Sequence, residues 1–415
     1  MLGGFFTIFI DLLHDTIDEQ NTKPSPWPPM LHNASISHYF YQPKEVDGPV
    51  KRKLPLVMLS LLLLLFMHPS SSWAYFFDVS QALGIYNTNN HQLQEYRNEK
   101  VILGYYPVYY DGDKAAYNSL ATYGDSFNAI STFTYSVDKQ GNLSGEAPAD
   151  GLALAKVKGV KTYALIHNLD ESGNFDQQLA SIFLGSSQAR ENAIDQLINI
   201  LQSNGYDGVT VDIESVKASE RANYSQFIQE LKNALSPRGY KVIVSVPAKL
   251  FDDRTSAWGG AFDYTALANS ADYVQIMTYD EHWPGGQAGP IASIDYVNHA
   301  IRYTLTAVPK EKILLGIATY GYDWSSKTTK AVDYYSVPQI LSTFGITSWW
   351  DESSKTPWFT YWDGSGQKHD VWYENARSTG YKLDLVNQYD LAGVAVWRLG
   401  FEDKSFWDMV DAKLK

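Results

Sequence analysis

From about residue 101 onward the apolar positions follow two alternating periods. Short runs rich in β-branched and aromatic residues recur: "VILGYYP" from 101, "FNAISTFTYSV" from 127, "KTYALIHN" from 161, "GVTVDIE" from 208, "KVIVSVP" from 241, "DYVQIMTYD" from 272, "KILLGIATYG" from 312 and "AGVAVWRLG" from 392. Their length and composition predict eight strands. Between strands the period becomes helical. Ala193, Ile194, Leu197, Ile198 and Leu201 share one helical face stopped by Gly205; Tyr224, Phe227, Ile228, Leu231 and Leu235 share another, ended by Pro237 and Gly239. Strands alternating with helices over residues 101–415 predict an α/β fold, a TIM (β/α)8 barrel. A doubly wound open sheet uses the same alternation, but no Gly-rich phosphate loop follows the first strand to support it.

The longest interval between strands, about 322 to 390, exceeds what one helix needs. It holds "SWWDESSKTPWFTYWDGSGQKHDVWY", with aromatics alternating around a turn at Asp363-Gly364, then the helical "ENARSTGYKLDLVNQYDLAG". This predicts a small α+β insertion between strands 7 and 8, over about 322–372, followed by the seventh barrel helix. Its aromatic side chains either wall a groove or form the insertion's own core. Upstream, "KRKLPLVMLSLLLLLFMHPSSSWAYF" joins three basic residues to an apolar run from Leu54 to Met67 and small residues ending at Ala74. The run is shorter than the ~20 residues a helix needs to cross a bilayer. Residues 51–74 are therefore expected to be a secretory signal peptide, with a retained membrane anchor as the alternative. Residues 1–50 form an anomalous extension, expected to be unstructured, and 75–100 a leader. The product is expected to be secreted or held in the cell envelope.

Composition narrows the class. Of 415 residues, 45% are hydrophobic and 19% charged, enough for a large core. The 29 Tyr and 12 Trp are numerous, and rings with apolar faces and polar tips suit sugar-binding grooves. A formal charge of −13 without a basic stripe argues against a nucleic-acid partner. The chain has no cysteine, hence no disulfides or thiolate metal sites. His167, His282, His299 and His369 lack metal-ligand spacing, so no metal and no cofactor is expected.

"DGVTVDIE" at 207–214 places Asp207, Asp212 and Glu214 in a strand that otherwise reads as buried. Alternate side chains share a face, so Thr210, Asp212 and Glu214 point into the barrel while Val209, Val211 and Ile213 meet the helices. Glu214 is then nearest the C-terminal mouth, where such barrels carry their chemistry. Two carboxylates on one buried face are costly without partners, and an ionised Asp212 raises the proton affinity of its neighbour. That suits a general acid; a pair satisfied by Arg, Lys or backbone donors is the structural alternative. Asp207, before a glycine, is a turn residue or a support for the strand entry. Residues i and i+2 project in parallel with Cα atoms ~7 Å apart, so the pair cannot flank a glycosidic bond from opposite sides. Either another strand supplies the second carboxylate or the substrate brings its own nucleophile.

The same stretch resembles the Asp-Gly-x-x-x-Asp-x-Glu signature of the family 18 glycoside hydrolases, the chitinase-like barrels. "QIMTYD" at 275–280 resembles that family's sixth-strand motif and "GVAVW" at 393–397 its eighth-strand ending. The resemblance covers roughly 100–415 and implies a retaining, substrate-assisted glycosidase acting on a β-1,4-linked glycan that contains N-acetylglucosamine. By resemblance, Glu214 protonates the leaving oxygen, Asp212 orients the substrate's acetamido group and Tyr279 donates its hydroxyl to the acetamido oxygen. Gln275, Met277 and Asp280 bind or brace the sugar, and Trp397 forms an apolar floor beneath it. Asp207 and Thr210 support the strand. Thr210 departs from the fullest signature, which has Asp there. A hydroxyl can hydrogen-bond but carries no charge and shares no proton, so Thr210 is not expected to exchange a proton with Asp212 as that Asp would.

"MTYDEHWPGGQAGPIAS" and "WYENARSTGYKLDLVNQYDLAGVAVWRLG" are similar to the bacterial branch associated with spore germination and cortex lysis. This implies cortex peptidoglycan as substrate, with chitin and N-linked glycans as alternatives, and a spore-associated location. The LysM repeats common in that branch are not expected in the short stretch from 75 to 100. A non-catalytic carbohydrate-binding barrel is the rival class; such lectins typically lack the terminal Glu that this chain keeps. A monomer is expected.

Overall fold

The computed structural model describes residues 99–415; the extension, the signal segment and nearly all of the leader lie outside the described residues. Eight parallel strands close on themselves: β1 (Val101–Pro107), β2 (Ala129–Val137), β3 (Lys161–His167), β4 (Gly208–Asp212), β5 (Lys241–Pro247), β6 (Tyr273–Met277), β7 (Ile313–Ala318) and β8 (Gly393–Trp397). Each pairs with its successor, and β8 pairs with β1. The result is the TIM barrel, with one strand in each apolar run.

Local sequence sets the helix limits. The Ser186 hydroxyl accepts the Ala189 N–H at the start of helix Ser187–Asn204, and Gly205 ends it in left-handed conformation. Helix Arg221–Leu235 buries Tyr224, Phe227, Ile228, Leu231 and Leu235, and Pro237 sits in the 3-10 turn that follows. These faces join the large apolar layer between helices and barrel. Inside the barrel, Leu103, Leu165, Ile243, Leu314 and Ala395 pack together, alongside buried Ser131, Thr210, Ser245 and Gln275. Gly208 lets β4 approach β5: a Cβ there would lie 2.2 Å from the Lys241 carbonyl oxygen.

Two strands end sooner than alternation predicts. β4 stops at Asp212 and β6 at Met277, so Glu214 and Tyr279 stand beyond the sheet. Ser215 and Asp280 then adopt left-handed backbone, φ 56° and 55°, which turns the chain out of the strand direction.

Between β7 and helix Ala376–Gln388 lies a five-stranded antiparallel sheet, ordered Thr329–Asp333, Tyr320–Ser325, Lys368–Tyr373, Thr356–Trp362, Trp349–Asp351. Helix Ser336–Phe344 covers one face, where Phe359, Val371 and Tyr373 pack with Val337 and Leu341. On the opposite face Tyr322, Trp372, Trp358 and Trp349 are successive cross-strand partners and form one row. The aromatic residues of this segment therefore divide between a local core and a second surface.

Candidate active site

The carboxyl groups gather at the C-terminal mouth of the barrel. Asp212 closes β4 and Glu214 follows two residues later, 5% and 9% exposed. Burial raises the proton affinity of both. Asp212 is pushed up to about 7, although a hydrogen bond from Ser245 pulls it back. Glu214 is raised well above the ordinary carboxyl range, by burial first and then by the charges of Asp212 and Asp280. Among the described residues neither acid is paired with a Lys or Arg, and Asp212 Oδ1 has no partner within the protein. The pair therefore retains a proton that two isolated carboxylates would release.

Tyr279 stands beside them, two residues past β6. A glycine on β7 makes room for it: a Cβ on Gly316 would lie 2.9 Å from both Tyr279 Cε1 and Gln275 Nε2. Burial, then Tyr105 and the neighbouring carboxylates, raise the Tyr279 phenol well above its usual value, so it remains a hydrogen-bond donor. Gln275 is fully buried, and its Oε1 accepts the Tyr105 hydroxyl at 3.1 Å. That hydroxyl lies 3.0 Å from Ser245 Oγ, which continues the polar chain to Asp212. Among the described residues Gln275 Nε2 has no hydrogen-bond partner. Met277 ends β6 as a buried apolar neighbour.

Asp280 accepts the hydroxyls of Tyr320 at 2.6 Å and Tyr322 at 2.9 Å. Burial pushes its carboxyl up to about 6 against the pull of those two bonds. Both tyrosines come from the first strand of the inserted sheet, so that sheet braces the mouth. Trp397 ends β8 in edge contact with Tyr105 at 5.3 Å and Phe133 at 5.4 Å. Trp397 is thereby fixed beside the polar chain, partly buried.

Two residues singled out from sequence stand away from this group. Asp207 lies at the other end of β4, where it accepts the Thr162 N–H at 2.9 Å and pairs with Lys161 at 2.9 Å; it braces the starts of β3 and β4. Thr210 is inside the barrel and accepts the Ser131 hydroxyl at 2.8 Å. His167 stacks on Phe133 at 4.5 Å and accepts the Leu169 N–H at Nδ1, and burial lowers it to about 4, which keeps it neutral. His282 pairs with the Pro290 carbonyl at 2.9 Å. Among the described residues no group of three or more His, Asp or Glu could hold a metal ion.

Sequence reasoning missed Tyr105, Ser245, Asn168, Tyr320 and Tyr322. The inward alternation of β1 and β5 carries a signal for the first two. Asn168 and the tyrosines act at positions where no local pattern announces a partner.

A buried carboxyl group that keeps its proton near neutrality at the C-terminal mouth of a (β/α)8 barrel, beside a second carboxyl group, is the equipment of acid-catalysed bond cleavage, and glycosidases are built on such carboxyl pairs. The class so defined is that of the glycosidases. Residues 75–402 match the model of the Glycosyl hydrolases family 18, and the chain belongs to that family. It is similar to the uncharacterized glycosylase YvbX of Bacillus subtilis, 37% identical over 306 residues that cover 73% of this chain and 89% of that one. It is also similar to the cortical fragment-lytic enzyme of Bacillus cereus, 26% identical over 287 residues covering 68% and 66%. Among solved structures, a chitinase from Chromobacterium violaceum superposes with a TM-score of 0.71 at 34% identity, covering 76% of this chain and 99% of the other. The spore cortex-lytic enzyme SleL of Bacillus megaterium has the same fold, with a TM-score of 0.72 at 22% identity over 77% and 75% of the two chains.

Proposed function

We propose that this glycosidase cleaves β-1,4 bonds next to N-acetylglucosamine in peptidoglycan, spore cortex in particular, by a retaining, substrate-assisted mechanism. The observation that carries the reading is the buried Asp212–Glu214 pair, whose shared environment holds a proton beside the Tyr279 hydroxyl. Glu214 gives its proton to the leaving oxygen as the C1–O bond breaks. The acetamido oxygen of the same sugar forms the new bond to C1 and gives an oxazolinium ion. Asp212 accepts the acetamido N–H, and Tyr279 donates to the acetamido oxygen, so the internal nucleophile is held in line. Glu214, now a carboxylate, takes a proton from water as that water opens the ring, and two inversions leave the configuration retained. Asp280 is tied to two phenols, which argues against its acting as a protein nucleophile.

Digestion of purified spore cortex beside soluble chitin, with mass analysis of the new reducing ends, tests this reading. Reducing N-acetylglucosamine in cortex fragments is the expected product. Reducing muramic acid overturns the choice of bond. Chitin is the second substrate reading, favoured by the 34% identity to the Chromobacterium chitinase, and faster release from chitin than from cortex would select it. The segment 51–74 is proposed to direct secretion, which sequencing of the exported protein's N-terminus checks.

The aromatic row extends the reading to longer glycans. Rings follow one another from Tyr279 to Tyr320 at 6.3 Å and to Tyr322 at 5.4 Å, and across the sheet from Trp372 to Trp358 at 5.5 Å and Trp349 at 5.8 Å. Trp349, 64% exposed, ends the row. Removing one stacking ring worth about 0.5–1.5 kcal/mol corresponds to roughly a 2- to 12-fold loss of affinity. Trp349→Ala is therefore expected to raise KM on polymeric glycan within that range and to leave kcat/KM on a short aryl glycoside unchanged. Equal losses on both substrates would remove the row from glycan binding.

A further inference from the structure

The sheet does not reach the acid on which the proposed chemistry depends. Pairing of β3 with β4 stops at His167 and Asp212, and pairing of β4 with β5 stops at Val211 and Val244. Glu214 lies two residues past the last pair, in a stretch whose next residue, Ser215, is already left-handed. Chain without a ladder is ordinarily free to shift by more than catalysis tolerates. Some other contact must fix it.

The residue after β3 is Asn168, fully buried. Its side-chain amide takes up both main-chain groups of Glu214: Oδ1 accepts the Glu214 N–H at 2.9 Å, and Nδ2 donates to the Glu214 carbonyl at 2.9 Å. The second Nδ2 hydrogen goes to the Asp176 carbonyl at 3.1 Å, and the Asp176 N–H returns to the Asn168 carbonyl at 2.9 Å. Asp176 also caps helix Gln177–Gly185 by accepting the N–H groups of Gln178 and Leu179. One planar amide thus joins the end of β3, the start of a helix and the backbone of the acid, with its acceptor and both donors in use.

We propose that Asn168 is the positioning residue of Glu214, a side-chain amide that substitutes for the missing strand pairing and locks the acid's backbone from both sides. The chemistry of the side chain explains the choice. Only a carboxamide copies a peptide group's donor and acceptor together; an ionised Asp has no donor, and Gln is one methylene longer. The expected functional consequence rests on the reading of Glu214 as the general acid, whereas the clamp itself does not.

Kinetics on a soluble N-acetylated oligosaccharide with Asn168→Ala and Asn168→Asp proteins test the consequence. A displacement of ~1 Å at a reacting group can cost about 100-fold in rate. Asn168→Ala is expected to lose kcat on that order, with KM within about twofold of the parent. In Asn168→Asp, a protonated carboxyl would supply the O–H that stands in for the lost Nδ2–H. The ratio of its kcat to the parent's should therefore rise as pH falls, while the ratio for Asn168→Ala stays flat. Parental kcat in Asn168→Ala, or a pH-independent ratio in Asn168→Asp, overturns the positioning role.

Amide hydrogen exchange, which needs no turnover, tests the clamp. The Glu214 N–H is expected to exchange slowly in the parent and about 10-fold faster in Asn168→Ala, the effect of losing roughly one hydrogen bond, with β3 and β4 unchanged. Exchange in the parent at the rate of the exposed loop 170–172 overturns the clamp even if neither variant folds. A parent that protects this amide yet hydrolyses no N-acetylated glycan overturns the proposed function and leaves the clamp intact.

Discussion

The Glu214→Gln protein is expected to bind N-acetylated glycan as the parent does and to turn it over at least about 10³-fold more slowly. A positioned general acid or base contributes roughly 10²–10⁴-fold, and Glu214 is proposed to act in both halves of the reaction. Glutamine fills the same space, with the same backbone clamp, but has no proton to give at any pH. The loss should appear in kcat and kcat/KM together, with the dissociation constant from calorimetry unchanged, because the missing contribution is made in the transition state alone. An aryl glycoside with a good leaving group should suffer less in the first step, since its oxygen departs without protonation. Glycan capture by the variant, together with no turnover by the parent, would instead indicate a carbohydrate-binding barrel. Turnover by the variant at the parental rate would remove Glu214 from the chemistry.

The eight strands were legible because a barrel strand contacts side chains on both faces, which leaves continuous apolar runs such as Val242, Ile243 and Val244 of β5, all fully buried. Helix ends were legible at Gly205, which adopts φ 70°, and at Gly239, which adopts φ 83°. The site was legible in part. Alternation correctly turns Thr210 and Asp212 inward, but it carries no information about where pairing ends, and pairing ends before Glu214. What continues the order there is a side chain from 46 positions earlier in the chain. The same holds for Asp280, whose partners Tyr320 and Tyr322 lie 40 and 42 positions away. Such contacts depend on how loops close over the barrel mouth, which no period in the sequence encodes. Asp207 illustrates the converse. It sits in the most recognisable motif of the chain, yet its carboxylate works at the opposite end of the strand, on Lys161 and the Thr162 N–H.

Asp212→Asn is expected to move activity and stability in opposite directions. Its activity should fall by roughly 10²-fold, because the acetamido N–H loses an ionised acceptor and the developing positive charge its nearest stabilising carboxylate. The basic limb of the pH–rate profile should also move to lower pH, since the Asp212 charge is one of the causes that raise the Glu214 proton affinity. Stability follows from the sign of the Asp212 shift. Its carboxyl is raised from 3.8 to about 7 in the folded protein, so between those values the folded state binds more protons than the unfolded state. Stability contributed by this group is then intact below about pH 4 and is lost as pH rises through about 7, where burial of the bare carboxylate is fully felt. Asparagine keeps an acceptor for Ser245 and carries no charge. The variant should therefore unfold at a higher temperature than the parent at pH 8, by roughly 3–5 °C for a few kcal/mol at most, and the difference should shrink to nothing toward pH 4. Calorimetry of the two proteins across that range reads the effect directly. A gain that is equal at pH 4 and pH 8 would trace it to packing and not to ionisation, and no gain at pH 8 would mean that Asp212 keeps its charge at little cost, which contradicts the desolvated pair on which the acid's retained proton depends.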